Sequence, residues 1–212
     1  MRKPREIVEG SSYHVTARIN RGEYLLQDNF EFDLKKMFIE VVHRTHQIYN
    51  FRIYVIEVMD NHIHMMIKPE GDSELGNIMN SILSTFARRY NILFKCHGHV
   101  WYDRFKSKVI KNSQQLINTI RYICNNPYRA GMINNPLNYK YSSVYSIYAK
   151  IKTELVLLIL SIMDLTDKNI RSIYDDYRKE FSFEKASAVN KALGFYPNKP
   201  GRPKKIAVCS QL

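Results

Sequence analysis

The chain has 212 residues, of which 45% are hydrophobic and 12% aromatic, and its formal net charge is +12 at pH 7. This composition excludes a disordered chain, and three scattered cysteines exclude a small domain held together by disulfides. The positive charge predicts an anionic partner, most commonly a nucleic acid, against the alternative of a basic but merely solvated surface.

Strand and helix patterns alternate along the first two thirds of the chain. β-Branched and aromatic residues predict strands at 11–19, 51–59, 62–68 and 104–110. Apolar residues at helical spacing predict helices at 34–49, at 75–90 and from a Ser113 cap to just before Pro127. The order βαββαβ predicts an α+β, ferredoxin-like fold, with an antiparallel sheet, two helices on one face and the third helix on the other side.

The composition shifts after about residue 150, which predicts three units: a main domain at 1–150, a helical appendage at 151–195 and a basic flexible tail at 196–212. The tail contains KPGRPKK, in which Arg202 and Lys204 flank a proline. This segment resembles an AT-hook, which binds the minor groove of A·T-rich duplex DNA. An ordinary basic tail that binds phosphates without specificity is the equal alternative.

The apolar segments of the sequence do not suggest a membrane protein. Residues 1–10 lack the apolar core of a signal peptide, and the longest apolar run, at 155–163, is far too short to span a bilayer. We therefore expect a cytoplasmic protein, associated with the nucleoid if DNA is its partner, and no membrane partner.

Two histidines, His62 and His64, stand two positions apart within a predicted strand. Alternate residues of a strand point to the same face, so the two imidazoles project together. They are either a metal-binding pair or simply hydrogen-bonded or surface side chains, and an isolated pair of this kind leaves both interpretations open.

The helix after Ser113 adds a tyrosine with an unusual placement. Tyr122 lies off the apolar stripe, in a polar line with Asn126 one turn later, whereas Tyr90 continues the apolar stripe of its own helix. An amide oxygen and two imidazoles would leave coordination positions open on Mg²⁺ or Mn²⁺ for water and a phosphate oxygen. A tyrosine hydroxyl beside such an ion would attack phosphorus and form a covalent intermediate.

These residues carry a resemblance to a known family, the HUH single-tyrosine transposases, and most closely to their REP-associated tyrosine transposase branch. The segments that match are DNHIH (60–64), GHVWYDRF (98–105) and RYICNNPYRAG (121–131), within a resemblance that spans roughly 10–147. Asp60 stands where the family usually has proline, which should affect the turn more than the chemistry.

The resemblance implies a role for each matching residue. His62 and His64 would bind the metal ion, Asn126 would be its third ligand, and Tyr122 would be the nucleophile. The family cleaves single-stranded DNA beside hairpins, leaving a 5′-phosphotyrosine and a free 3′-hydroxyl, and rejoins it without a high-energy cofactor. Relatives work either as monomers or as homodimers.

Further DNA contacts are predicted where aromatic and basic residues interleave. Arg104 and Arg129 match motif positions of the family, and the other candidates are Trp101, Arg88 and Arg89. Packing of the Trp101 ring in the core is nearly as good an interpretation as base stacking.

The function predicted from the sequence is therefore metal-dependent nicking and joining of single-stranded DNA by a transposase. One alternative is a domesticated nickase that serves repeat maintenance or repair. A second, from a different class, is a DNA-binding relative that has lost catalysis.

Overall fold

The computed structural model describes residues 6–27 and 31–181. Within these residues, four strands and seven α-helices follow one another in chain order: β1 (Ser12–Arg18), α1 (Leu34–His46), β2 (Phe51–Val58), β3 (His62–Pro69), α2 (Leu75–Leu93), β4 (Lys106–Ile110), α3 (Ser113–Cys124), α4 (Asn126–Arg129), α5 (Ser143–Tyr148), α6 (Glu154–Ile162) and α7 (Lys168–Phe181). Each strand and helix predicted in the first 127 residues is present, with bounds that differ by a few residues.

The sheet has the strand order β2-β3-β1-β4, and every neighbouring pair is antiparallel. β1 and β2 are therefore parallel to each other with β3 between them, which is the arrangement that a βαββαβ chain forms with right-handed crossovers. The predicted α+β, ferredoxin-like fold is confirmed. β4 is an edge strand.

One face of the sheet is covered by α1 and α2. The strands send alternate side chains to this face, among them Val15 and Ile63, which are fully buried against Phe38 of α1 and Phe86 of α2. α6 packs on α1 on the same side and adds Ile159 to this core.

The other face of the sheet is covered by α3, α5 and α7. Val55 and Met66 of the sheet pack there against Ile120 and Ile123 of α3, and Tyr174 of α7 completes the cluster. The third helix thus lies on the opposite side from α1 and α2, as predicted. The described part of the predicted appendage packs on both faces, through α6 and α7, whereas residues 182–212, including Arg202 and Lys204 of the basic tail, lie outside the described residues.

The start of α3 differs by one residue from the sequence-based prediction. Asn112, not Ser113, is the N-cap, because its Oδ1 accepts a hydrogen bond from the Gln115 backbone N–H at 2.8 Å. The Gln115 side chain reciprocates by accepting from the Lys111 N–H at 2.8 Å, an arrangement that satisfies two backbone donors at the helix start. Asparagine and serine cap equally well, so local preference could not separate these neighbours.

Across residues 6–27 and 31–181, no helix combines the length and the apolar character needed to traverse a bilayer.

Candidate active site

The two histidines of the DNHIH segment point to the α3 side of the sheet. They are the first and third residues of β3, and their ring centroids are 4.8 Å apart. His64 is buried and His62 is half-buried. The side chain between them, Ile63, faces the opposite core, as strand alternation predicts.

Each of these histidines is held through its Nδ1 atom. His62 Nδ1 lies 2.6 Å from Asn61 Oδ1, and His64 Nδ1 lies 3.0 Å from His14 Nε2 and 3.3 Å from Thr16 Oγ1. Because an amide oxygen only accepts, His62 carries its proton on Nδ1 and leaves the Nε2 lone pair for a metal ion. In the matching tautomer of His64, Nδ1–H donates to His14 and Nε2 is again the ligand atom.

The local electrostatics keep all three imidazoles neutral. Burial, with the charge of Lys108 second, lowers the pKa of His14 to about 4. Burial and then Arg18 lower the pKa of His62 to about 4, and burial followed by the neighbouring histidines and Arg18 lowers the pKa of His64 to about 2. A neutral imidazole has the free lone pair that metal binding requires, so the three rings are in the correct protonation state near pH 7.

Tyr122 reaches this cluster from α3. Its ring centroid lies 5.8 Å from that of His64 and 5.9 Å from that of His14, and the side chain is 42% exposed. The Arg129 guanidinium sits over the same ring, 5.4 Å from its centroid. Tyr90, by contrast, is buried in the α1–α2 core, as its position on an apolar stripe predicts.

Asn126 lies just past the end of α3 and opens α4. Its Nδ2 atom donates to the backbone carbonyl oxygens of Tyr122 at 3.0 Å and Ile123 at 3.2 Å. These bonds turn the amide nitrogen toward the helix end and leave Oδ1 as the atom able to bind a cation.

The donor set fits a metal ion that takes few protein ligands. Within the described ranges, no group of three His, Cys, Asp or Glu side chains is placed so that it could hold a metal ion. Two Nε2 atoms and an amide oxygen would complete their coordination with water and phosphate oxygens, which suits Mg²⁺ or Mn²⁺ at a catalytic site.

The predicted DNA-contacting residues are divided between the two faces. Arg129 contacts Tyr122, and Arg104 is exposed in the loop before β4. That loop is tied to β1, where the Tyr102 N–H donates to the Arg18 carbonyl at 2.9 Å, and Arg18 is the β1 residue paired with His62. Arg104 therefore belongs to the histidine end of the sheet.

The remaining candidates lie away from the histidines. The Trp101 ring packs 6.1 Å from Phe38, and its Nε1–H donates to the Leu83 carbonyl at 2.9 Å, so it occupies the α1–α2 core, which is the packing alternative. Arg88 is exposed on α2 and Arg89 forms an ion pair with Glu40 at 3.4 Å, both on the face opposite Tyr122.

Sequence reasoning missed two residues of this neighbourhood. His14 is a single histidine in β1, and no motif in the chain marks it, although its two-residue spacing from Thr16 predicts a shared face. Glu57 of β2 is paired directly across from His64 and is fully buried, and neither of its carboxylate oxygens has a hydrogen-bond partner among the described residues. Burial raises the pKa of this carboxyl well above its usual value of 4.5.

Comparisons with known proteins show the family of the chain and a similar fold. The profile of the family described as "Transposase IS200 like" matches residues 7–126, more than half of the chain. A structure of a REP-associated tyrosine transposase bound to a REP hairpin superposes with a TM-score of 0.59 and 20% identity, covering 71% of this chain and 86% of that one. At such low identity this superposition shows the fold alone.

A second solved structure is less similar to this chain. A candidate transposase from Deinococcus radiodurans R1 is 18% identical, covers 59% of this chain and 97% of its own, and has a TM-score of only 0.39. Among curated proteins there was no match. The family profile, which covers β1 through Asn126 and so includes both histidines and Tyr122, is decisive: the chain belongs to the IS200-like transposase family.

Proposed function

We propose that this transposase nicks and rejoins single-stranded DNA beside hairpins through a covalent bond between Tyr122 and a 5′-phosphate. The observation that carries this proposal is that the Tyr122 ring lies beside the His64 ring, which in turn lies beside the His62 ring. Two neutral imidazoles can hold a metal ion beside the tyrosine nucleophile, and a metal ion in that position assists attack on a phosphate.

The metal ion would be held by Nε2 of His62, Nε2 of His64 and Oδ1 of Asn126. Bound there, Mg²⁺ or Mn²⁺ would polarise the scissile phosphate and stabilise charge on the leaving oxygen. Asn61 and His14 fix the two imidazoles through their Nδ1 atoms, so that both ligand nitrogens are oriented before the ion arrives.

The protein's own groups account for the nicking step. The phenol oxygen of Tyr122 forms a bond to phosphorus as its proton is lost to solvent, and the bond from phosphorus to the 3′-oxygen breaks. That oxygen takes up a proton and leaves as a 3′-hydroxyl. The Arg129 guanidinium, 5.4 Å from the centre of the Tyr122 ring, favours the negative charge that develops on the phenol and phosphate oxygens.

Rejoining reverses these steps with another 3′-hydroxyl, which attacks the phosphotyrosine and releases Tyr122. One phosphodiester is exchanged for another, so no high-energy cofactor is consumed. The Tyr122 ring lies beside His64 of the same chain, with 5.8 Å between the ring centroids, which supports a site that a monomer can complete. The hairpin bound by the structurally similar REP-associated transposase supports hairpin DNA as the substrate.

The test is covalent trapping on a denaturing gel. Purified protein is incubated with a pool of end-labelled single-stranded hairpin oligonucleotides from its genomic neighbourhood, with Mg²⁺ or Mn²⁺. We expect an adduct that survives denaturation and falls by at least about 10³-fold in Tyr122→Phe, while Tyr102→Phe, at a tyrosine that is 70% exposed, retains it. Hairpin binding without an adduct, with either ion, would contradict the proposal and favour a non-catalytic DNA-binding protein.

A further inference from the structure

A groove of about 940 Å³ opens beside Tyr122, between the edge strand β4 and the polar side of α3. We call it the β4–α3 groove and define it by the lining residues Lys108, Lys111, Gln114, Asn118, Thr119 and Tyr122. No motif of the sequence marks it, and it lies on the face of the sheet opposite Arg88 and Arg89. His14 also lines the groove, so the groove adjoins the candidate active site.

The charge of the groove suits a phosphate backbone. Lys108 and Lys111 are exposed, and Lys108 is close enough to His14 to lower the pKa of that imidazole. The one acid among the lining residues is Glu6, whose carboxylate lies 3.2 Å from the Lys111 ammonium, with both side chains more than half exposed. Such a surface ion pair is worth at most about 1 kcal/mol and can be exchanged for a phosphate contact.

The helix side of the groove offers hydrogen bonds of both kinds. Gln114, Asn118 and Tyr122 follow one another at intervals of four residues, a line that extends about 12 Å along the helix axis. Gln114 Nε2 donates to Asn118 Oδ1 at 3.0 Å, which leaves the Gln114 oxygen to accept and the Asn118 amide to donate. The Thr119 hydroxyl, which can do both, lies in the same wall.

These features favour a single strand over a duplex. Amide groups in the wall of a groove can reach the edges of bases only when the bases are unpaired and turned outward. A volume near the upper end of the roughly 300–1,000 Å³ range for concave ligand sites accommodates a short stretch of nucleotides, whereas a duplex would need a wider surface.

We propose that the β4–α3 groove binds the single-stranded segment that adjoins the scissile phosphate. Phosphates of this segment lie on Lys108 and Lys111, and its base edges contact Gln114, Asn118 and Thr119. The inference rests on the proposed function, because it places the substrate of Tyr122, but binding in the groove does not require the chemistry to occur.

The test separates the single-stranded segment from the hairpin. Binding is measured by fluorescence anisotropy with Tyr122→Phe protein, using one hairpin oligonucleotide without a flank and the same hairpin with a single-stranded extension on its 5′ or 3′ side. For Lys108→Ala/Lys111→Ala we expect the affinity for one of the extended hairpins to fall about tenfold or more, and the affinity for the bare hairpin to stay unchanged. The salt dependence of extended-hairpin binding should weaken by about 0.7 in log–log slope for each lysine.

A matched control comes from the opposite face. Lys36→Ala/Arg44→Ala removes the same charge from α1, where Lys36 is paired with exposed Glu154 at 2.7 Å much as Lys111 is paired with Glu6, and where Arg44 is exposed. A second pair of variants adds a negative charge instead: Asn118→Asp in the groove and Ser84→Asp at an exposed position of α2. We expect only the groove variants to discriminate between extended and bare hairpins.

Equal weakening of extended and bare hairpins by the groove variants, or equal effects of the control variants, would overturn the proposal. A flank-dependent effect in a protein that never forms an adduct would support the groove and contradict nicking. If the groove variants form the adduct on extended hairpins as well as the unaltered protein does, this result would support nicking and contradict the groove.

Discussion

The two faces of the sheet are built from the same strands, yet they serve different purposes. On the α1–α2 face, Val15 and Ile63 are fully buried in a continuous apolar core. On the α3 face, the neighbouring positions His14 and His64 form a polar cluster that α3 covers only in part, so that Tyr122 remains 42% exposed beside it.

The difference shows how a strand separates stability from chemistry. Side chains alternate along β1 and β3, so each apolar residue that holds the strand against α1 and α2 fixes the direction of the polar residue beside it. A site mounted on strands that are packed on their other face is rigid, and rigidity is what metal ligands and a nucleophile require. Substitutions on the two faces should therefore affect different properties.

Among the strand residues on the α3 face, the largest effect is expected at His64. His64→Ala removes a proposed ligand nitrogen and should lower adduct formation by more than about 100-fold, while the protein remains folded. The measurement is adduct yield across a Mn²⁺ titration, alongside a thermal melt. His97→Ala, at an exposed loop histidine, is the matched control, and equal losses in both variants would argue against the metal site.

The corresponding change on the α1–α2 face is Ile63→Ala, one residue before His64. Ile63 is fully buried, so we expect the free energy of unfolding in urea to fall by about 2–5 kcal/mol. Adduct formation per folded molecule should be retained. Ile92→Ala, at a side chain that is 72% exposed, should change stability by less than about 0.5 kcal/mol. A loss of chemistry without a loss of stability in Ile63→Ala would contradict the separation of the two faces.

A smaller effect on the α3 face is expected at His14, which contacts His64 and is not a proposed ligand of the metal ion. His14→Ala should weaken Mn²⁺ binding by about 10–100-fold, measured by calorimetry on metal-free protein. His14→Gln should retain more affinity, because its side-chain oxygen can still accept a hydrogen bond from His64 Nδ1–H. Equal affinity in the two variants would show that His14 does not position its neighbour.

Glu57 is the exception on the α3 face, a buried carboxyl that lowers stability. Its raised pKa means that the folded protein retains a proton that the unfolded chain releases above about pH 4.5, so stability falls as the pH rises. We expect Glu57→Met to raise the free energy of unfolding by about 1–3 kcal/mol near pH 8 and to change it little near pH 4. Glu9→Met, at an exposed glutamate, is the control; a gain that does not depend on pH would contradict this account.

Local patterns were enough to predict most of the fold and the core of the candidate site. The order of strands and helices, the shared face of His62 and His64, and the position of Tyr122 off the buried stripe of α3 all follow from periodicities of 2 and 3.6 residues. Such patterns depend only on neighbours along the chain. The family resemblance added the roles of these residues, and the match over residues 7–126 confirms the family.

Contacts between distant segments could not be predicted in this way. His14 meets His64 across a separation of 50 residues, and it does so because the register of β1 on β3 is set by the packing of the whole sheet. The burial of Trp101, the placement of Arg88 and Arg89 behind the sheet, and the groove between β4 and α3 have the same origin.

The sequence by itself thus determined which residues form the strands and the three helices of the βαββαβα core, which side chains share a face within each of these elements, and the family to which the chain belongs. Only the tertiary structure decided which faces meet, since each meeting depends on loop closure and burial over many residues at once.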